Sequence, residues 1–399
     1  MKSVIEKVKT DKLVVVFVSI AILAISLILQ HEINLRQTLF FLTGIMLGLI
    51  LMHAMFGFTG GWRMFIREKR SVGIRAQLLL LILSSVLFFP VVADVFPELN
   101  SHAALGQVGI SVLFGAFLFG IGMQLGGGCG SGTLFTVGQG QTDMLITISF
   151  FIIGATIGSY HLPWWLSLPN IGKVSLINEL GWMPALLVQL LVLAALYWLV
   201  SSLEIKKHHN LQDFSARQKH EKLSDQAIFG PWPIWWGVIG LALFGLVTLL
   251  LAGYPWSITF AFGLWGAKIW SVLGGDAANW TYWASGYPAK ALNQSVLADI
   301  TSVMNFGIIF GAMLAAALAG KYAPEGKIKR KRFVTAVIGG LLLGYGARLA
   351  FGCNIGALLG GIASGSLHGW LWLVAAFTGG IVGVKLRVLF KFDKPYGVQ

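Results

Sequence analysis

Ten runs of roughly 20 apolar residues, each long enough to cross the hydrocarbon of a bilayer, leave this chain one kind of fold. They fall at about 13–30, 38–57, 76–95, 107–125, 142–160, 183–201, 231–253, 298–319, 333–350 and 368–385. Lipid offers no partner to a backbone N–H or C=O, so such segments must satisfy their own polar groups as helices. With 56% hydrophobic and 11% charged residues in 399, and a mean hydropathy of +0.77, the chain is a polytopic membrane protein and not a soluble domain. The N-terminal apolar run is longer than a signal-peptide core and no small-residue cleavage site follows, so it is expected to stay as the first span.

The formal net charge of +13 would suit a nucleic-acid partner, but the cations sit in short blocks between apolar runs, which is how a membrane protein fixes its orientation. The blocks are Lys2, Lys7, Lys9 and Lys12; Arg63, Arg67, Lys69, Arg70 and Arg75; Lys206, Lys207, Arg217, Lys219 and Lys222; Lys321, Lys327, Lys329, Arg330, Lys331 and Arg332; and Lys385, Arg387, Lys391 and Lys394. All are expected on the cytoplasmic side. The connections 96–106, 161–182 and 274–297 carry almost no Lys or Arg and are expected on the other. Threading the chain through these assignments fails by one crossing if the further run 256–273 spans, so that run is expected to enter and return on one side. Its FGLWGA, at 262–267, echoes FGFTGG at 56–61, which suggests a similar break near the end of the second span.

An internal repeat lies over this frame. Residues 339–370 read GGLLLGYGARLAFGCNIGALLGGIASGSLHGW, and a copy 224 positions earlier reads GAFLFGIGMQLGGGCGSGTLFTVGQGQT. Without gaps they match at Gly115/Gly339, Gly120/Gly344, Gly122/Gly346, Leu125/Leu349, Gly128/Gly352, Cys129/Cys353, Gly132/Gly356 and Leu134/Leu358. One inserted residue then aligns Gly140/Gly365, Gly154/Gly379 and Gly158/Gly383. Span 107–125 threads inward and span 333–350 outward, so the copies have opposite topology. The expected fold is therefore an all-α polytopic membrane protein of two inverted repeats, with re-entrant half-helices meeting near the membrane midplane. Its expected divisions are 1–75 (N-terminal spans and a basic loop), 76–201 (first half), 202–230 (cytoplasmic linker) and 231–399 (second half).

The chain's only two cysteines occupy the same place in both copies. Each opens a charge-free segment, 126–140 or 351–365, that is too short to cross and too rich in bare backbone to face lipid. The amides after each cysteine, Gly130 to Thr133 and Asn354 to Ala357, are then the unpaired N–H groups of a helix N-terminus, an anion site without a fixed cation. Most repeat glycines, including Gly154-xxx-Gly158 and Gly379-xxx-Gly383, have the spacing of closely packed membrane helices. The cysteines could be small buried hydrophobes, but their paired placement makes them candidates for contact with a sulfur-bearing ligand. Around them the candidate path residues are Gly128, Gly130, Ser131, Gly352, Asn354 and Arg348. Arg348, whose counterpart is Gln124, either attracts substrate, snorkels or pairs with a buried carboxylate such as Asp299. Asn354 either caps the second half-helix or contacts a ligand oxygen. His368 and Asp143 read as polar residues at the rim. No Walker motif or metal-ligand cluster is visible, and no cofactor is expected.

The run GARLAFGCNIGALLGGIASGSLHGW resembles the signature of the YeeE/YedE family, the thiosulfate-uptake or sulfur-transport family, and GGGCGSGT stands where that family has its first motif. The likeness covers roughly residues 40 to 390. It implies two inverted halves, a bacterial inner-membrane location, no enzymatic activity and, often, a small cytoplasmic sulfur carrier of the TusA type as partner. It also implies that Cys129 and Cys353 line a constriction and pass thiosulfate by S–H···S contacts. Some members carry a further cysteine early in the first half; here that region offers only Thr59 as a polar substitute. Other branches of the family are associated with selenium. The expected function is a permease for a small sulfur-containing oxyanion, thiosulfate first. The alternatives are a related sulfur or selenium compound, or a membrane thiol–disulfide relay through the same two cysteines. Neither cysteine lies in a CxxC motif or beside a cation that would favour the relay.

Overall fold

The computed structural model describes residues 10–214, 222–324 and 328–392. Of the basic blocks, Lys2, Lys7, Lys9, Arg217, Lys219, Lys327 and Lys394 lie outside the described residues. In the first half the helices are α1 (Lys12–Glu32), α2 (Leu35–Ala54), α3 (Phe58–Glu68), α4 (Val72–Val92), α5 (Ile110–Gly126), α6 (Gly130–Gly138), α7 (Asp143–Ser167), α8 (Leu176–Leu180) and α9 (Trp182–His208). After these come α10 (Leu223–Phe229), α11 (Ile234–Ala252), α12 (Thr259–Val272), α13 (Gly286–Asn293), α14 (Ile300–Leu318), α15 (Arg330–Leu349), α16 (Gly360–Ala363) and α17 (Leu367–Leu389). Two short strands, β1 (Gln107–Gly109) and β2 (Asn170–Lys173), pair antiparallel.

Ten helical stretches among the described residues are long and apolar enough to cross a membrane, and they fall on the ten apolar runs. The run 256–273 is not among them: its helix, α12, has 14 residues. A break near the end of the second span is present, with α2 closed by Met55 in a left-handed conformation before α3 begins. The FGFTGG and FGLWGA segments are not equivalent, however. The first straddles the start of α3, whereas the second lies inside α12.

Glycine decides the packing at the centre. Gly115 lies against Leu349 and Gly346, and Gly122 against Leu343 and Gly339, so α5 and α15 run antiparallel with their backbones close. Each has a parallel companion. Gly340 and Gly344 of α15 sit on Thr147 and Phe151 of α7, and Gly120 of α5 sits on Ala376 and Gly380 of α17. Gly154, Gly158, Gly379 and Gly383 make the reciprocal contacts, which is the packing role their spacing predicts. Outside this core α2 lies parallel to α14, with Gly44 on Met304 and Gly48 on Ile308, and α11 packs on both α2 and α4.

The connections sort by charge. One end of the helices gathers Arg70 and Arg75, paired with the buried Glu204; Arg332, paired with Asp143; and Lys321, whose segment is tied to Gln139 through Ala323. The opposite end holds β1, β2, the segment 93–109 and the short helices between α12 and α14. Leu13, Phe17, Ile20, Leu191, Trp198 and Val374 are exposed, an apolar surface suited to hydrocarbon rather than water.

Candidate functional site

Both cysteines are helix N-caps with nearly the same backbone. Cys129 has φ −90° and ψ −168° before α6, and Cys353 has φ −101° and ψ −165° before a π-helical turn (Asn354–Leu359) that continues into α16. The preceding glycines are equivalent too. A Cβ on Gly128 would run into Thr133 N, and one on Gly352 into Ala357 N, the same offset in each copy. The turn into each cysteine is left-handed, at Gly127 (φ 88°) in the first copy and at Phe351 (φ 60°) in the second. Phenylalanine holds that conformation at a cost of about 1–2 kcal/mol, so the geometry is imposed by its surroundings.

The two short helices leave from one place. Cys353 Sγ lies 3.0 Å from the position a Cβ on Gly130 would take, so the second cysteine abuts the residue after the first. From there α6 runs to the basic end, where Gly138 meets Ile309 and Ala312 and Gly140 meets Ala323 and Pro324. The second short helix runs the other way, ending where Gly365 meets Ile177 and Phe89. The thiols are free and buried, 1% and 0% exposed, at the N-termini of two helices that point away from each other.

Of the eight amides expected to be unpaired, four are met by the cysteines themselves. Gly132 N donates to Cys129 Sγ at 3.4 Å and Ile355 N to Cys353 Sγ at 3.4 Å. Thr133 N and Ala357 N each donate at 2.9 Å to the carbonyl of their own cysteine. Ser131 Oγ stands 3.4 Å from Cys129 Sγ. Each sulfur thus accepts from one amide of its helix start, and its S–H is a donor beyond that bond.

Asn354 does not cap its helix, since Cys353 does. Its side chain is 0% exposed, and neither Nδ2 nor Oδ1 has a partner. An unmet buried polar group costs about 1–3 kcal/mol, and this carboxamide leaves both ends unmet. Arg348 stands apart from the cysteines. It packs on Gly158 and Gly263, donates from Nη1 to Tyr282 Oη at 2.7 Å, and lies 4.6 Å from the Tyr282 ring centroid and 5.7 Å from that of Trp283; Nε and Nη2 have no partner. It does not pair with Asp299, which accepts from Tyr287 Oη and Ser302. Gln124 instead joins the basic end: its Oε1 accepts from Arg63 Nε at 3.1 Å and its backbone carbonyl from Arg387.

His368 and Asp143 are not rim residues. His368 is 2% exposed, with Nδ1 2.6 Å from Ser366 Oγ and accepting from Gly106 N, and Asp143 is buried against Arg332. The sequence reading also missed the segment that closes the site from the side. Ile258 packs on Gly130, Ser257 on Gly356 and Pro255 on Gly360, with Ile258 O held at 3.0 Å by Asn305 Nδ2. Nothing in its apolar composition marks that segment as a site wall.

A profile of the family described as "Sulphur transport" matches residues 53–382. The "Probable transporter YedE" of Escherichia coli is 32% identical over 163 residues, 41% of this chain and 38% of that protein, so the match spans little more than a third of that relative's length. The "Thiosulfate transporter TsuA" of Spirochaeta thermophila is 27% identical over 354 residues, 83% of this chain and 92% of that protein. The Escherichia coli protein of the same name is 26% identical over 346 residues, 84% of this chain and 90% of that protein.

Proposed function

We propose a function from one premise: the chain belongs to the sulphur transport family. It is a multi-pass protein of the bacterial inner membrane, and a transporter rather than an enzyme. Within that class our reading is uptake of thiosulfate into the cytoplasm past Cys129 and Cys353. The observation that carries it is the pair of free, buried thiols capping two helices that diverge from one point. The TsuA relatives, named as thiosulfate transporters, support the choice of ion.

The same reading makes the two halves inverted repeats and the short helices re-entrant. The exchange of contacts supports it: α5 with α17 mirrors α15 with α7, α2 with α14 mirrors α11 with α4, and α3 with α17 mirrors α12 with α7. So does the antiparallel pairing of the matching helices α5 and α15. The path then meets bare backbone only where protein, not lipid, surrounds it.

Thiosulfate has a soft terminal sulfur and hard oxygens. With the lone pairs of each Sγ engaged by an amide, its S–H donates to the terminal sulfur of the ion, and a weak donor of this kind also lets go. The ion moves from one thiol to the other with no covalent bond made. The segments 126–140 and 351–365 hold no fixed cation that would bind a dianion too tightly, and Arg348 lies before the second of them. Gly128, Gly130, Ser131 and Gly352 shape the passage; Asn354 and Arg348 supply its polar contacts. A TusA-type sulfur carrier is the proposed partner at the basic, cytoplasmic end.

Uptake of labelled thiosulfate by proteoliposomes tests the reading. Cys129→Ser and Cys353→Ser are each expected to lower uptake at least tenfold at unchanged protein level. The double variant is expected to be little worse than the weaker single one, because groups acting in series are non-additive. Wild-type uptake in either single variant would sink the thiol path, and equal competition by sulfate would remove the need for thiols. Neighbouring free thiols also suit a thiol–disulfide relay. Trapping during turnover separates the two, since only a relay accumulates a Cys129–Cys353 disulfide.

A further inference from the structure

Asn354 stands where the first copy has Gly130, so the residue after the cysteine carries a carboxamide in one copy and no side chain in the other. Gly130 abuts Cys353 Sγ, which puts the start of the first short helix beside the cysteine that precedes Asn354. The side chain is fully buried, and both its nitrogen and its oxygen are without partners. It is also freed from the capping task, which Cys353 performs. The one inserted residue of the second copy follows Leu358, at the far end of the turn that Asn354 opens. The second short helix has one residue more than the nine of α6 and opens as a π-helix, a form that appears mostly as single-turn insertions and frequently at functional sites.

We propose that Asn354 is the specificity-determining residue of the cysteine site. Its Nδ2 donates to the oxygen end of the transported ion while the thiols hold the sulfur end, so the site favours ions that have both. The proposal rests on the thiosulfate reading and deepens it. A carboxamide suits the task because it offers two donors without charge. The asymmetry gives the two cysteines distinct surroundings: the residue after Cys353 brings a carboxamide that reads oxygen, whereas the residue after Cys129 is Gly130, which brings none. Sulfate lacks the soft end and hydrosulfide lacks the oxygens, so the two ions probe the contacts separately.

The experiment measures thiosulfate KM and kcat in proteoliposomes, with sulfate and hydrosulfide as competitors, for the wild type, Asn354→Leu and Asn354→Gly. Loss of a hydrogen bond to a charged ligand is expected to raise the thiosulfate KM about tenfold or more in both variants. Inhibition by hydrosulfide is expected to stay within about twofold of wild type, the scatter of an untouched contact. Asn354→Gly copies the first half and adds no bulk, so it serves if the leucine variant fails to fold. A wild-type KM in either folded variant overturns the proposal. So does an equal loss of thiosulfate and hydrosulfide binding, which is the mark of a merely structural role. Absence of thiosulfate uptake by the wild type overturns the thiosulfate reading itself, and the proposal with it.

Discussion

At the scale of single residues, Arg348 shows how a charge can be kept inside a membrane protein without a carboxylate. Its guanidinium rests on the Tyr282 ring and bonds the Tyr282 hydroxyl, so aromatic faces and one neutral acceptor stand in for an ion pair. Two of its nitrogens stay unmet, which fits attraction of an anion better than snorkelling. Arg348→Gln is expected to raise the thiosulfate KM about tenfold with kcat little changed, as removal of a uniform binding contact does. Gly263→Ala is expected to act in the same direction, because its Cβ would run into the guanidinium. Transport kinetics on both variants check this, and a wild-type KM in Arg348→Gln would leave the residue a packing group.

Among the elements, α14 and the second short helix yield separate tests. Asp299 caps α14 through Ser302 N at 2.7 Å and also accepts from Tyr287 Oη. Asp299→Ala, which removes the cap, is expected to lower stability by about 1 kcal/mol in thermal unfolding in detergent, and Asp299→Asn, which keeps a capping oxygen, to retain most of it. In the second short helix, deleting Leu359 would remove the residue by which it exceeds α6. The expected outcome is an α-helical turn, a repositioned Asn354 and at least tenfold slower uptake at normal membrane levels, measured by transport and hydrogen exchange. Unchanged uptake would make the π turn a passive insertion.

The molecule as a whole is held by backbone-close helix pairs rather than by charge. Helices meet at glycines because lipid gives no hydrophobic push between them, and close contact supplies the dispersion instead. The gathering of basic side chains at one end predicts orientation. Lys206, Lys207 and Lys222, with Lys329 before α15, are expected to face the cytoplasm, and the connection from α12 to α14 the periplasm. In a Cys129→Ala, Cys353→Ala background, a membrane-impermeant maleimide applied to intact cells is expected to label Asn279→Cys and spare Asn210→Cys. The reverse result would overturn the orientation and the inward direction of uptake together.

The spans, their number and the doubtful status of 256–273 were legible in the chain itself, because hydrocarbon demands about 20 apolar residues per crossing and tolerates little else. The equivalence of Cys129 and Cys353, and the one inserted residue after Leu358, were legible as a repeat. What that insertion does was not. A π turn and an α turn differ only in which carbonyl an amide reaches, a choice made where the turn packs on neighbours such as Ser257 and Trp372. Composition places His368, Asp143 and Arg348 near helix ends, but whether such a group is buried depends on what a distant segment brings against it. For His368 it is Gly106, for Asp143 Arg332, and for Arg348 Tyr282, partners 262, 189 and 66 positions away. The sequence alone therefore determined which segments cross and which residues repeat, since both are local or periodic properties. Only the tertiary structure decided which partners the buried polar side chains find and that Asn354 is left without one, because hydrogen bonds between distant segments exist only once those segments are packed.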